Sequence, residues 1–189
     1  SSNGFGGVKE VARKYQAYDA EEFIRLRQIA GAFTNMPQET AFYESGGETN
    51  WQDLMYQQGY VTQHDLNISG GTENAIYSAG GGYYRETTIL PGQDFSRISL
   101  RASVETKLGK YIRVGLSTQN GYTVTNGESA SFMYQLVTLS PIAPAYNEDG
   151  TPVKQPVYPN DNYYNPLLVL NENSWAQQRI RFNSFNTLF

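Results

Sequence analysis

Apolar and polar residues change their period once along this chain. Before Tyr60 the spacing is helical. Phe23, Leu26, Ala30 and Phe33 fall on one side of a 3.6-residue repeat, and Asp19 with Glu22 has the spacing of a capping box. The pattern predicts a surface helix packed on a scaffold. Pro37 and Gly46-Gly47 are expected to end this segment, and Asn50 to cap a short second helix through Trp51, Leu54 and Met55, with Asp53 in its first turn. From Tyr60 the period becomes two. His64, Leu66 and Ile68 oppose Gln63, Asp65, Asn67 and Ser69, which predicts a strand. After Gly70-Gly71-Thr72-Glu73-Asn74 a second strand is expected from Ala75 to Glu86, where Gly80-Gly81-Gly82 marks a bend or a close neighbour. The third, Phe95 to Thr106, sets Ile98, Leu100, Ala102 and Val104 against Arg97, Ser99, Arg101, Ser103 and Glu105. The fourth sets Ile112, Val114 and Leu116 against Arg113, Gly115, Ser117 and Gln119; the fifth sets Ile180 and Phe182 against Arg179, Arg181 and Asn183.

Each strand thus carries one aliphatic and one polar face. That suits a half-solvated antiparallel sheet, or a barrel with lipid outside and water inside. The connections are unequal. In an up-and-down meander the tight turns at Gly70–Asn74 and Leu108–Lys110 fall at one end, and the long connections at the other. Short turns on one rim and long loops on the other is the asymmetry of outer-membrane barrels, and a soluble sandwich has no reason for it. The expected fold is mainly β: antiparallel up-and-down strands of a transmembrane β-barrel with long extracellular loops and one or two short helices. The expected division is a loop and helix segment at 1–60 on the extracellular side, four strands at 61–122, a long extracellular loop at 123–173, and the start of a further strand at 174–189. Ser1 to Gly7 reads as the middle of a loop, and both ends are expected to be cuts from a longer chain.

Composition narrows the function. Charged residues are 17%, and their place is taken by 18 Gly, 15 Tyr, 9 Phe and many amides and hydroxyls. Low charge and few aliphatics would suit disorder, but so many Tyr favour strands with a wet face and aromatic contact surfaces. A net charge of -4 without a Lys/Arg cluster disfavours nucleic acid. Without Cys there is no disulfide, thiolate metal site or thiol nucleophile. No apolar run approaches the roughly 20 residues of a membrane helix.

Several short runs then line up in order: Ala20-Glu21-Glu22-Phe23; Trp51-Gln52-Asp53-Leu54-Met55-Tyr56; Gln63 to Glu73, centred on Ser69-Gly70-Gly71-Thr72-Glu73; Tyr77 with Gly82-Tyr83; Phe95-Ser96-Arg97 and Leu100-Arg101; Ser140-Pro141-Ile142-Ala143-Pro144-Ala145-Tyr146-Asn147-Glu148-Asp149-Gly150; and Asn165-Pro166-Leu167. This series resembles the SusC/RagA family of TonB-dependent outer-membrane transporters of Bacteroidetes. The resemblance covers most of the chain. It implies a large barrel filled by an N-terminal plug, TonB-driven uptake of glycans or peptides, and a SusD-like surface lipoprotein as a lid. The plug, the TonB-contacting segment and most of the barrel lie outside this sequence, so the piece would be early strands with their extracellular loops and would not transport alone.

Candidate chemistry is sparse. His64 is the single histidine and sits on an aliphatic face, which favours packing or an interfacial role over catalysis or metal binding. No Ser/His/Asp triad, calcium loop or phosphate loop is legible, and no enzyme or cofactor is expected. Asn147-Glu148-Asp149-Gly150-Thr151 reads first as a turn. The richest cluster is aromatic and amide: Tyr146, Asn147, Asp149, Tyr158, Tyr163 and Tyr164, with Trp175 after it. Rings stack on sugars and amides pair with hydroxyls, so these are the candidate substrate or lid contacts; the bland alternative is that they fold the loop on itself or form an interfacial belt. Arg97, Arg101, Arg179 and Arg181 are candidates to face the lumen, against ordinary solvated cross-strand pairing. The rival to a transporter segment is a soluble, secreted carbohydrate-binding β-sandwich.

Overall fold

The structure is a computed structural model; it describes residues 1–31, 37–127, 134–157, 164–171 and 178–189. It divides into two units. The first is Ser1–Glu10, Gln58–Gly127 and Gln177–Phe189; the second is Val11–Gln57 and Glu128–Ala176.

The first unit is one antiparallel sheet of six strands in chain order: β1 (Ser2–Lys9), β2 (Gly59–Gly71), β3 (Ala75–Thr87), β4 (Asp94–Leu108), β5 (Ile112–Asn126) and β6 (Gln178–Leu188). The sequence pattern led to five of these. Ser1 to Gly7, expected as loop, is instead most of β1, paired from Ser2↔Leu66 to Lys9↔Gly59. Alternation was hidden there because glycines present no side chain to alternate. The same bareness lets the strand approach β2: a Cβ on Gly4 would lie 3.0 Å from His64 Nδ1, and one on Gly7 would lie 3.2 Å from Val61 Cγ1. β2–β3 and β4–β5 are joined by three-residue turns at 72–74 and 109–111, and the second needs Gly109 at φ 70°. Every longer connection, 10–58, 88–93 and 127–177, leaves the other end of the strands.

Register is unbroken from β1 to β6, so the faces can be read off directly, because opposed residues point the same way. One face carries Leu66, Ile68, Tyr83, Ile98, Leu100, Val104, Leu116, Tyr122, Ile180 and Phe182, all of them exposed. The other is polar. All described strands belong to this one sheet. A β-sandwich would cover the apolar face with a second sheet, which this arrangement does not do. No described helix is long and apolar enough to cross a membrane.

The second unit holds α1 (Ala20–Ile29), α2 (Pro37–Glu44), α3 (Trp51–Met55), α4 (Gln135–Thr138) and α5 (Pro166–Asn171). Asp19 and Asn50 cap as expected: their side chains accept from Glu22 N at 2.8 Å and from Asp53 N at 3.2 Å. Two expectations change. Pro37 opens α2 instead of ending a helix, a position where its missing N–H costs nothing. The inner face of α1 is Ala20, Phe23, Ile24 and Arg27, while Leu26 and Ala30 are exposed; Phe33 lies outside the described residues. Arg27 turns inward because its guanidinium stacks 4.5 Å from the Phe23 ring and pairs at 3.1 Å with the buried carboxylate of Glu39.

Around α3 the unit has a dense core. Met55 and Ala143 are fully buried, with Trp51, Leu136, Leu139, Ile142, Val153 and Val157 nearly so. Ser140 Oγ is buried without a hydrogen bond among the described residues, but other polar groups are tied in. Trp51 Nε1 donates to Ser140 O at 2.9 Å, Thr49 Oγ1 to Ala143 O at 2.8 Å, and the Gln52 amide both donates to and accepts from the backbone of Tyr15.

Candidate functional site

The polar face of the sheet collects the charge. Its strands present Lys9, Arg97, Arg101, Lys107, Arg113, Arg179 and Arg181 against Asp65, Glu86 and Glu105, a net of +4 on one face of a chain whose total is -4. Two acids are held in cross-strand pairs. Lys9 pairs with Glu86, and Arg113 Nε lies 3.1 Å from Glu105. Glu86 also accepts from Tyr84 OH at 2.5 Å; the Tyr84 ring meets Phe95 edge-on at 5.8 Å and takes the Arg97 guanidinium at 5.8 Å from its centre. The four arginines that the sequence marks as lumen-facing thus share a face, and Arg97, Thr123 and Arg181 stand in one row across three strands.

Gly80 and Gly82 lie on this face, and the reason is visible. Arg101 reaches from β4 across Gly80 of β3 to β2, where its Nη2 donates to Asn67 Oδ1 at 2.8 Å. A Cβ on Gly80 would run into Asn67 Oδ1 and come within 2.9 Å of Arg101 Nε; one on Gly82 would come within 2.5 Å of Asp65 Oδ1. The glycines are the floor over which longer side chains reach.

Three successive rows run across β2 to β6. Asp65, Gly82, Ser99, Gly121 and Asn183 form one of mostly small residues. Asn67, Gly80, Arg101, Gln119 and Phe185 form the next. Ser69, Ser78, Ser103, Ser117 and Thr187 form the third, which is hydroxyl on every strand. Between the last two rows is a concavity of about 280 Å³ lined by Ser78, Arg101, Ser103, Gln119, Phe185 and Thr187, with Ser78 Oγ 2.8 Å from Ser103 Oγ. Sequence reading picked out Arg101 but not its companions. The glycine run was the signal of a close neighbour, yet which residues stand beside Arg101 follows only from register.

The loop candidates are placed differently. Asn147 and Asp149 spend their side chains on a local turn. Gly150 N donates to Asn147 O at 2.9 Å, Asn147 Nδ2 to Thr151 Oγ1 at 3.0 Å, and Thr151 Oγ1 and N to Asp149 Oδ1 at 2.6 and 2.9 Å. The Thr151 hydroxyl, followed by its backbone N–H, holds the Asp149 carboxyl below its ordinary value. Tyr146, bridged to Pro152, and Tyr164 are about half exposed. Tyr158, Tyr163 and Trp175 lie outside the described residues. His64 stands on the apolar face with its Nε2 3.1 Å from Thr62 Oγ1. A second hollow of about 320 Å³ lies within the second unit beside Tyr15, Tyr18 and Phe23, but much of its polar lining is engaged. Asp19 caps α1, Glu48 Oε1 accepts from Ala20 N at 3.2 Å, and Thr49, Trp51 and Gln52 are bonded as above. The run from Ser140 to Ala145 and Asn165 are core: Asn165 is fully buried, donates to Ala145 O at 2.7 Å and accepts from Leu167 N at 3.0 Å. Among the described residues no three His, Asp or Glu side chains come together to hold a metal.

No family model matches the chain. Its curated relatives are TonB-dependent receptors. TonB-dependent receptor P3 of Formosa agariphila is 24% identical over 154 residues, covering 76% of this chain and 15% of that protein. TonB-dependent receptor P39 of the same organism is 27% identical over 123 residues, covering 65% of this chain and 12% of that protein; P26 is 23% identical over 121 residues, covering 64% and 12%. This chain therefore spans well under a fifth of the length of the relatives it matches.

Proposed function

We propose that this chain is part of the wall of an outer-membrane TonB-dependent transporter, of the SusC/RagA kind, that takes up glycans or other large nutrients. The observation that carries the reading is the sheet itself: six strands in simple up-and-down order, one face bearing most of the exposed aliphatic side chains and covered by no second sheet, the other bearing most of the charge. The likeness to proteins named TonB-dependent receptors supports it. Strand length fits as well. An 11-residue strand such as β6 extends about 36 Å at ~3.3 Å per residue, and a tilt of about 40° leaves about 28 Å along the membrane normal, close to the hydrocarbon thickness. In this reading the apolar face meets lipid and the polar face, with its arginines, meets the lumen. The long connections stand outside the cell, where their tyrosines meet substrate or a SusD-like lipoprotein lid. TonB engages a plug that these residues do not include. The chain itself performs no catalysis.

The test is to express the full-length protein with its neighbouring lipoprotein, fractionate membranes and run a heat-modifiability gel. An outer-membrane, heat-modifiable barrel that co-purifies with the lipoprotein is the expected result. A secreted, soluble product without a partner overturns the reading.

A further inference from the structure

The face that meets lipid in the transporter reading is not apolar throughout. On β5 and β6 it is apolar toward the long connections, at Tyr122, Val124, Ile180 and Phe182, and again toward the tight turns, at Leu116 and Leu188. Between these lies a polar square, two residues on each strand: Asn120 opposite Ser184, and Thr118 opposite Asn186. The square sits at mid-depth. Gln119 is the middle residue of β5 and Asn183 that of β6, and Thr118, Asn120 and Ser184 adjoin them. Strands that cross the membrane put these positions near the centre of the hydrocarbon, where lipid tails offer no hydrogen bond. The four side chains satisfy one another only in part. Asn120 Nδ2 donates to Thr118 Oγ1 at 2.9 Å, and Asn186 Nδ2 to Ser184 Oγ at 3.2 Å. Each amide keeps a second N–H and a carbonyl oxygen with no partner among the described residues. Beside the square is a hollow of about 930 Å³, floored by Ala79, Gly81 and Ala102 and walled by Leu66, Ile68 and Leu100.

We propose that this square docks on a second copy of the full-length protein, wall to wall in one membrane, about a two-fold axis along the membrane normal. Lipid tails would leave four polar side chains in hydrocarbon, and a protein surface with polar groups at the same depth relieves them. Depth favours a copy as that surface. Two copies inserted the same way hold their squares at one level, so the two-fold brings amide to amide; an unrelated protein would need polar groups that happen to lie there. Chemistry favours it too. The square carries no charge, and its amides and hydroxyls donate and accept alike, so it complements itself. The apolar residues on either side of it pack against their counterparts, and the hollow seats a projecting side chain of the facing wall. The inference rests on the lipid-facing reading of this face given above, and takes one patch of it out of contact with lipid.

The experiment uses the full-length protein in its own outer membrane, with any native cysteine replaced. Thr118→Cys and Ser184→Cys, both close in size to the residues they replace, are treated with a short membrane-permeant bis-maleimide. The expected product has twice the protein's mass and contains this protein alone; Ser103→Cys, on the lumen face, should give none. Extracted in a mild detergent, the wild type should hold two copies per particle. Asn120→Leu combined with Asn186→Leu should lower the ratio of dimer to monomer by about ten-fold or more. Heat-modifiability of each variant reports that the barrel has formed. A wall that simply meets lipid predicts the reverse: the two leucines stabilise the barrel and leave its assembly unchanged. That result, a wild-type barrel that is monomeric and gives no cross-link, or a cross-link to a different protein overturns the second copy while leaving the transporter reading in place. A protein that never forms an outer-membrane barrel overturns both.

Discussion

Single residues in this chain do two kinds of work, and burial separates them. Asn165 is a fastener. It is fully buried, and its amide closes Ala145 O and Leu167 N. Asn165→Ala leaves Leu167 N without its acceptor in the core, while Ala145 O keeps its bond from Val153 N, and is expected to destabilise the second unit by about 1–3 kcal/mol. Faster limited proteolysis within 128–176 of the full-length protein would report it, and an unchanged digestion pattern would count against it. Asp149 is the opposite case, exposed and local. Its carboxyl is held below the ordinary 3.8 by the Thr151 hydroxyl and then the Thr151 N–H. A lowered folded value means the turn gains from the charged form above the ordinary value and loses that gain as pH falls through the lowered one. Exchange of the Thr151 amide proton, corrected for intrinsic chemistry, should therefore be protected at pH 6 and lose protection below pH 4. Protection that does not change with pH would refute this, and Asp149→Asn should show weaker protection throughout.

At the scale of elements, alternation along a strand decides what each position meets. In β4, Leu100, Ala102 and Val104 share the apolar face, and Ser99 and Ser103 the polar one. These 189 residues hold no cysteine, so single cysteines introduced into β4 stand out once any native cysteine elsewhere in the full-length protein is replaced. In the full-length protein in its membrane, Ser99→Cys and Ser103→Cys should react with a water-soluble maleimide. Leu100→Cys and Val104→Cys should instead escape that reagent and, once coupled to a membrane-permeant fluorophore, be quenched by a lipid-borne spin label. Equal labelling of both sets would mean that the apolar face is covered by protein or open to water. This alternation was readable in β2 to β6 because each carries a stretch in which every second side chain is apolar, as at Leu66 and Ile68 or Ile112, Val114 and Leu116. It was not readable in β1, where Gly4, Gly6 and Gly7 leave nothing to alternate, nor at Pro37, where the same residue either stops a helix or begins one according to what precedes it.

For the whole molecule, the contrast between the two units matters most. The second unit buries a core built on Trp51, Met55 and the run from Ser140 to Ala145. The sheet buries almost nothing apolar beyond Leu90 in the β3–β4 connection. A sheet with an uncovered apolar face and open edges at β1 and β6 pairs readily with copies of itself. The 189-residue chain on its own is therefore expected to sediment as large, heterogeneous species in plain buffer and to be dispersed by detergent. A monodisperse monomer in buffer would mean that the apolar face is covered in solution.

What the sequence determined by itself is local. It set the period of β2 to β6 and the side on which Arg97, Arg101, Arg179 and Arg181 fall. It also set the caps Asp19 and Asn50 and the turn at Asn147–Thr151, since all of these depend on residues a few positions apart. What only the tertiary structure decided is what lies side by side. Pairing register put Arg101 over Gly80 onto Asn67 and lined up five hydroxyls from five strands. Packing turned the Ser140–Ala145 run and Asn165 into core, and drew Arg27 inward onto Glu39. Shifting one strand by a single residue would send its polar side chains to the other face, so no reading of one strand at a time could have assembled those rows.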